Sequence, residues 1–174
     1  MADVFEDYGD EDVLGGERAR LWKLIGETPY LDWQLLTKRP ANIARMTPLK
    51  WENEQWPSNV WIGITAENQN WLETRGRWMR DIHPAVLFIS YEPALGPIAV
   101  PFWTQWVIAG GESGAGHRAP DTNWFRDVRD SCELQGVPFF FKQHGGNTPS
   151  ANGCELDGRE WKQFPKAREK ASAA

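Results

Sequence analysis

The chain has 174 residues and a formal net charge of −5. A closed eight-unit α/β barrel usually needs roughly 200 to 250 residues, so the length argues against a complete large barrel. The composition, 41% hydrophobic and 25% charged, is that of an ordinary globular protein, and no apolar run approaches the roughly 20 residues of a membrane span. With no signal peptide and two cysteines, too few for a disulfide framework, we expect a cytoplasmic protein.

The acidic residues are unevenly distributed. Six of the 24 fall within the first 12 residues, and all 19 basic residues come later. Without that segment the chain is nearly neutral, so no overall field attracts or repels nucleic acid. Charge alone does not select a partner.

The eleven tryptophans have two interpretations. Exposed rings would stack on nucleic-acid bases, whereas rings inside apolar runs belong to a core and its rim. Most of the tryptophans lie in apolar runs, which favours the core. Trp51 and Trp56 lie in a polar, proline-containing stretch, where an exposed ring would be easier to justify functionally.

Before the first apolar run, residues 14–25 predict a helix. The apolar segments are typical of parallel strands buried on both faces; they cover residues 33–36, 60–64, 86–89, 106–109 and 137–141. Between them the sequence predicts helices over residues 43–46, 69–81 and 123–135. The connection over residues 93–105 holds three prolines and predicts an irregular loop. Asp157-Gly158 predicts a β-hairpin near the end.

This alternation predicts an α/β fold, a partial parallel (βα) barrel of about five or six βα units with a C-terminal β-hairpin. We expect one domain over residues 1–165 and a disordered tail over residues 166–174. The chain opens with a helix where a βα array normally opens with a strand. We therefore expect it to start partway through a barrel.

Polar residues follow every predicted strand. They include Lys38, Arg39, Glu67, Asn68, Glu92, Lys142 and Gln143. Because ligand sites of parallel α/β proteins lie at the carboxyl ends of the strands, these residues predict a shared pocket. Ordinary loop polarity is the alternative.

The segment from Trp106 to Gly116 opens from an apolar run into four glycines within seven residues. Gly110, Gly111, Glu112 and Ser113 would let backbone amides hold a phosphate or a carboxylate; a tight turn is the alternative interpretation. The formal dinucleotide pattern that ends at Ala119 is discounted because Pro120 precedes the helix.

Glu92 has two interpretations at the end of its predicted strand. It would accept hydrogen bonds from a ligand or act as a base, or it would pair with Lys38, Arg39 or Lys142 in an ion network. The sequence does not separate the two. No pair of His or Cys residues has zinc-ligand spacing, and Cys132 is expected in the core.

Several segments together resemble a phage- and prophage-associated family of uncharacterised proteins that are similar to radical S-adenosylmethionine enzymes and, distantly, to spore photoproduct lyase. The matching segments are residues 33–40 (WQLLTKRP), 56–63 (WPSNVWIG) with Glu67-Asn68, 88–93 (FISYEP) with residues 95–97, 106–114 (WVIAGGESG), 139–143 (FFFKQ) and 156–161 (LDGREW). The match covers nearly the whole chain, and the combination of motifs is specific.

The resemblance implies a radical-SAM-like barrel whose rim faces S-adenosylmethionine and a substrate. On that basis we assign Glu92 and Lys142 as catalytic. The residues assigned to the cofactor are Gly110, Gly111, Glu112, Ser113, Glu67 and Asn68, and those assigned to an anionic, nucleic-acid-like substrate are Lys38, Arg39, Arg118 and Gln143.

The family's three-cysteine motif for a [4Fe–4S] cluster is absent here. We therefore expect the carboxyl portion of such a barrel, active only if an N-terminal half comes from another polypeptide. The alternatives are a truncated remnant, a non-catalytic nucleotide or nucleic-acid binding module that uses Lys38, Arg39, Lys142 and Trp56, and a phage interaction protein or homo-oligomer whose partner covers the strand edge at residues 33–36.

Overall fold

A computed structural model describes residues 3–7, 11–53 and 55–166 of the chain. Its helices are α1 (Glu11–Glu27), α2 (Ile43–Met46), α3 (Leu49–Asn53), α4 (Gln69–Gly76) and α5 (Thr122–Gln135). Its strands are β1 (Trp33–Thr37), β2 (Val60–Thr65), β3 (Val86–Tyr91), β4 (Trp106–Gly110), β5 (Phe139–Gln143), β6 (Glu155–Leu156) and β7 (Arg159–Glu160). Except for Lys166, the predicted disordered tail lies outside the described residues.

The first five strands form one parallel sheet in the order β1-β2-β3-β4-β5. Strands β2 and β3 are buried along their whole length, as the continuous apolar runs predict for strands covered on both faces. The α/β class, the parallel sheet and the C-terminal hairpin are confirmed. The connection over residues 93–105 contains no helix or strand, which confirms the predicted irregular loop.

The sheet has two different faces because side chains alternate along each strand. The helix face carries residues such as Ile62, Ile89 and Phe139, which join the main core under the helices. The aromatic face carries a second, smaller cluster of Trp61, Val86, Phe88 and Trp106, with Ala85, Ile108 and Phe140 packed against it.

Trp51 and Trp56 are buried, with 3% and 7% of their surface exposed, so neither is an exposed ring despite the polar stretch around them. Helix α3 turns Trp51 inward, where its ring centroid lies 5.1 Å from that of Trp22 and 5.4 Å from that of Trp56. A short helix within a polar stretch can still bury one apolar side. Trp56 is therefore not an exposed ring for base stacking.

Two helix boundaries follow from caps that the sequence contains. Helix α5 begins after Asp121, whose side chain accepts a hydrogen bond from the Asn123 amide, and ends at Gly136, whose φ is 68°. This left-handed cap and Pro138 delay β5 by two residues relative to the prediction. Lys142 and Gln143 consequently lie inside β5 and not after it. Helix α4 ends at Gly76 and continues only as a 3₁₀ turn over Arg77–Met79.

The residues after the hairpin cover one edge of the sheet. Asp157 and Gly158 have φ values of 55° and 77°, as a two-residue hairpin turn requires. The chain then runs antiparallel to β5: the Phe141 amide donates to the Trp161 carbonyl over 2.8 Å, and the Gln163 amide to the Phe139 carbonyl over 3.2 Å. Within the described part of the chain, no strand pairs with the outer edge of β1.

Candidate ligand-binding cleft

A cleft of about 480 Å³ lies on the aromatic face. Alternate residues of three strands form it: Phe88, Ser90 and Glu92 from β3 and just beyond it, Trp106 and Ile108 from β4, and Phe140 and Lys142 from β5. Gln34, Leu36 and Phe164 complete its sides. The floor is apolar, and Ser90, Glu92 and Lys142 lie towards the carboxyl edge of the sheet.

Trp106 is the centre of the floor. Its ring centroid lies 5.8 Å from that of Trp61, 5.6 Å from that of Phe88 and 5.4 Å from that of Phe164. The indole N–H donates to the Gln163 carbonyl over 3.0 Å, so the segment after the hairpin fixes the ring. Phe164 remains 55% exposed at the side of the cleft, which leaves an aromatic surface for a planar ligand.

A charge pair closes the carboxyl end of the cleft. The Lys142 ammonium donates to the Glu92 carboxylate over 2.8 Å, and the side chains are 55% and 19% exposed, respectively. The pair spans β4 at Gly110, where an added Cβ would lie 3.4 Å from Glu92 Cγ. An added Cβ at Gly110 would be in van der Waals contact with Glu92, so the carboxylate crosses the strand directly beside this residue.

The glycine-rich loop packs closely against the loop that follows β5. An added Cβ at Gly111 would lie 2.6 Å from the His144 carbonyl carbon and nearer still to its oxygen. The Gly111 amide donates to the Gln143 carbonyl, and the Gly114 amide to the Gly146 carbonyl. Those two amides serve loop pairing, which gives the glycines a structural reason independent of any bound phosphate.

Glu67 and Arg75 form a buried pair at the end of β2, with side chains 10% and 9% exposed. One Arg75 nitrogen donates to the Glu67 carboxylate over 2.7 Å and to both the carbonyl and the hydroxyl of Thr65. Burial acts to raise the pKa of Glu67, but a backbone hydrogen bond and the charges of Arg75 and Lys38 outweigh it, so the pKa is lowered. This pair anchors the turn into α4.

The predicted site residues fall into separate groups. Only Glu92 and Lys142 line the cleft. Lys38 lies 3.3 Å from the Glu67 carboxylate, and Arg39 lies 2.7 Å from that of Glu6. The remaining predicted side chains make local contacts. Asn68 caps α4 by accepting a hydrogen bond from the Trp71 amide, and Gln143 donates to the Ser113 hydroxyl over 2.7 Å. Arg118 forms an ion pair with Glu112.

Arg118 sets the ionisation of Glu112. Its side chain donates twice to the carboxylate, over 2.8 and 2.6 Å, and its backbone amide donates once over 2.8 Å. These hydrogen bonds lower the pKa of Glu112 from 4.5 to about 2. Arg118→Ala removes the two side-chain donors but keeps the backbone amide, so it should raise that pKa part of the way back to 4.5, measured by carboxyl carbon NMR titration. Lys38→Ala should leave it unchanged, and a pKa that stays near 2 in Arg118→Ala would contradict the assignment.

The two thiols do not fit an iron–sulfur cluster. Cys132 is fully buried in α5, and burial raises the pKa of its thiol to about 12. The Cys154 thiol donates to the Glu160 carboxylate over 2.9 Å. A [4Fe–4S] cluster requires several cysteine thiolates, and this sequence has two separate cysteines. We therefore derive no reaction step through such a cluster.

Comparison with protein families matches residues 1–165 to a family described as protein of unknown function (DUF5131). The chain belongs to the DUF5131 family. No curated protein and no solved structure matches it. In the described part of this DUF5131 protein, no helix has the length and apolar character to cross a membrane.

Sequence reasoning missed the cleft floor. The sequence predicts Phe88, Ile108 and Phe140 only as strand residues, yet Phe88 and Phe140 each share a face with the polar side chain two positions later. The period of two in Phe88-Ser90-Glu92 and Phe140-Lys142 could have revealed a cleft that runs from apolar to charged. Arg75 was also missed, since an arginine in a short helix is usually exposed.

Proposed function

We propose that this protein binds a nucleoside that carries an amino-acid end, in the cleft of the aromatic face. One observation carries the proposal: the Glu92–Lys142 ion pair lies at one end of a cleft whose floor consists of aromatic and aliphatic side chains. Ligand pockets commonly combine such an apolar lining with a few placed polar groups.

The floor suits a planar base. Phe140 and Ile108 are only partly buried, and Phe164 is exposed beside them. A base that enters the cleft would cover these surfaces, and stacking on an aromatic ring adds to the gain from apolar burial. The Ser90 hydroxyl, between floor and mouth, would form a hydrogen bond to the sugar.

The charge pair suits a zwitterion. In the free protein Lys142 and Glu92 neutralise each other. A ligand carboxylate would pair with Lys142 while the ligand ammonium pairs with Glu92, so each charge exchanges one partner for another. A phosphate would meet Lys142 but would also face the Glu92 carboxylate, which repels it. The pair therefore favours an amino-acid end over a phosphate.

S-adenosylmethionine has both features, and it is the cofactor that the family resemblance implies. Glu92 and Lys142 would hold its amino-acid end, and the floor would hold its adenine. The cofactor, when bound, would supply an activated sulfonium. Because the cysteines do not fit an iron–sulfur cluster, the proposal for this chain is binding and orientation of the ligand.

Calorimetric titration with S-adenosylmethionine and its stable product S-adenosylhomocysteine tests the proposal. Glu92→Gln and Lys142→Ala should each weaken binding about tenfold or more, because each removes one charge-assisted contact. Leu36→Trp should block binding by filling the cleft from its side. Lys38→Ala is the matched control: it removes a lysine from the same sheet edge outside the cleft, and affinity should not change.

AMP is the competing ligand in the same titration. Tighter binding of AMP than of S-adenosylhomocysteine, strengthened by Glu92→Gln, would replace the proposal with nucleotide binding. If Leu36→Trp binds S-adenosylmethionine or S-adenosylhomocysteine as well as the wild type does, the ligand does not bind in this cleft. If the wild-type protein binds neither compound, the proposal is overturned.

A further inference from the structure

A second groove, of about 510 Å³, lies between α4 with its 3₁₀ turn and the irregular loop of residues 93–105. We call it the arginine groove; its defining residues are Arg77, Arg80, Phe102 and Trp103. The 3₁₀ turn precedes β3 and Phe102 precedes β4, so this groove lies towards the amino ends of the strands. The Glu92–Lys142 pair lies at the carboxyl ends, and the two sites share no residue.

Arg77 and Arg80 lack the ion pairs that most other described arginines have. The arginines that have a carboxylate oxygen within 4.0 Å are Arg20, Arg39, Arg45, Arg75, Arg118, Arg126, Arg129 and Arg159. Neither Arg77 nor Arg80 has such a partner among the described residues, and both are exposed. Glu73 is the one carboxylate among the groove's lining residues, and it accepts a hydrogen bond from Gln69.

The aromatic rings of the groove stand on an anchored loop. Phe102 is 85% exposed, while the neighbouring Trp103 ring packs against Gly76, where an added Cβ would lie 3.2 Å from the ring. The Ala99 amide donates to the Gln69 side chain, and the Gln135 side chain donates to the Val100 carbonyl. The exposed ring is thus presented from a loop tied to α4 and α5.

We propose that the arginine groove binds single-stranded nucleic acid. Arg77 and Arg80 contact backbone phosphates, and a base stacks on Phe102. Two guanidinium groups without carboxylate partners, one of them 5.6 Å from the Trp78 ring centroid, lie beside an exposed ring and match the charged groove and stacking platform that single-strand binders use. An acidic peptide would satisfy the arginines but would leave the ring without a stacking partner, so the ring favours nucleic acid. Because the chain as a whole carries a net negative charge, the attraction of a phosphate backbone to the protein comes from Arg77 and Arg80.

Fluorescence anisotropy with a labelled oligothymidine of about 12 nucleotides, in about 50 mM salt, tests this proposal on the full chain. Arg77→Gln/Arg80→Gln should weaken binding at least tenfold. It should also make the dependence of log K on log salt shallower by about 1.4, since each phosphate contact on a single strand contributes roughly 0.7. Phe102→Ala should weaken binding at least fivefold with the salt dependence unchanged.

Arg20→Gln/Lys23→Gln on α1 is the matched control, because it removes the same charge from exposed positions elsewhere. Its affinity should stay within twofold of wild type, and melting curves should coincide for all variants. Equal losses in the control and the groove variant would overturn the proposal. So would oligothymidine binding that Phe102→Ala leaves intact, tighter binding of a polyglutamate peptide, or no binding by the wild-type protein. None of these outcomes depends on the cleft of the aromatic face.

Discussion

Arg75→Met should lower the free energy of unfolding by about 3 kcal/mol. The substitution keeps most of the side-chain volume but leaves the Glu67 carboxylate in a site where it is only 10% exposed. It also removes the donor to the carbonyl and hydroxyl of Thr65. Lys38, 3.3 Å from Glu67, still compensates part of the charge, which puts the loss at the lower end for a broken buried pair. Chemical denaturation measures it.

The double variant Glu67→Gln/Arg75→Met is the control for this loss. With no buried carboxylate left, it should be more stable than Arg75→Met alone, and the cycle gives the coupling between the two residues. The pKa of Glu67 is lowered in the folded protein. Its carboxylate therefore contributes to the stability of the fold at pH values above the ordinary pKa of 4.5, and this contribution is lost as the pH falls through the folded-state pKa. Glu67→Gln should remove that part of the acid sensitivity. A decrease in the free energy of unfolding below about 1 kcal/mol in Arg75→Met is what an exposed ion pair would give, and it would contradict the burial of this pair.

Gly111→Ala should cost about 3 kcal/mol, the upper part of the range for overpacking. The new methyl group would stand 2.6 Å from the carbonyl carbon of His144. The obstacle is backbone on a paired loop, so no side-chain rotation relieves it. The loops after β4 and β5 would separate, and the Gly111 and Gly146 amides would lose their carbonyl partners. Thermal and chemical denaturation should both show the loss.

Gly16→Ala adds the same methyl group at a position with no atom within 4 Å. It lies inside α1, where alanine is favoured over glycine by up to about 1 kcal/mol, so this control should be neutral or slightly stabilising. If Gly111→Ala melted at the wild-type temperature, the close approach of the two loops would be refuted.

The sheet could be predicted from sequence because its information is local. Apolar runs bounded by polar or glycine residues located all five strands to within about two residues. Asp157-Gly158 marked the hairpin. Each of these signals depends on backbone preferences within a few residues, which tertiary packing did not override.

The candidate site was harder to predict because its geometry depends on which distant groups meet. The sequence allowed Glu92 to pair with Lys38, Arg39 or Lys142, and only the strand order places Lys142 within reach. Polarity around Trp51 suggested exposure, although contact with Trp22, 29 positions earlier, buries the ring. Partners far apart in sequence leave no local pattern, so the split of the polar rim into separate ion pairs could not be read from the chain.

The order of the strands also has a consequence for synthesis. Each strand pairs with the strand made just before it, so the sheet can grow by one strand at a time as the chain leaves the ribosome. The phenylalanines of β5 are the last of the parallel sheet to be made, and their edge stays open until residues 161–163 emerge. The pairing of residues 161–163 with β5 therefore covers an edge that would otherwise be open to other nascent chains.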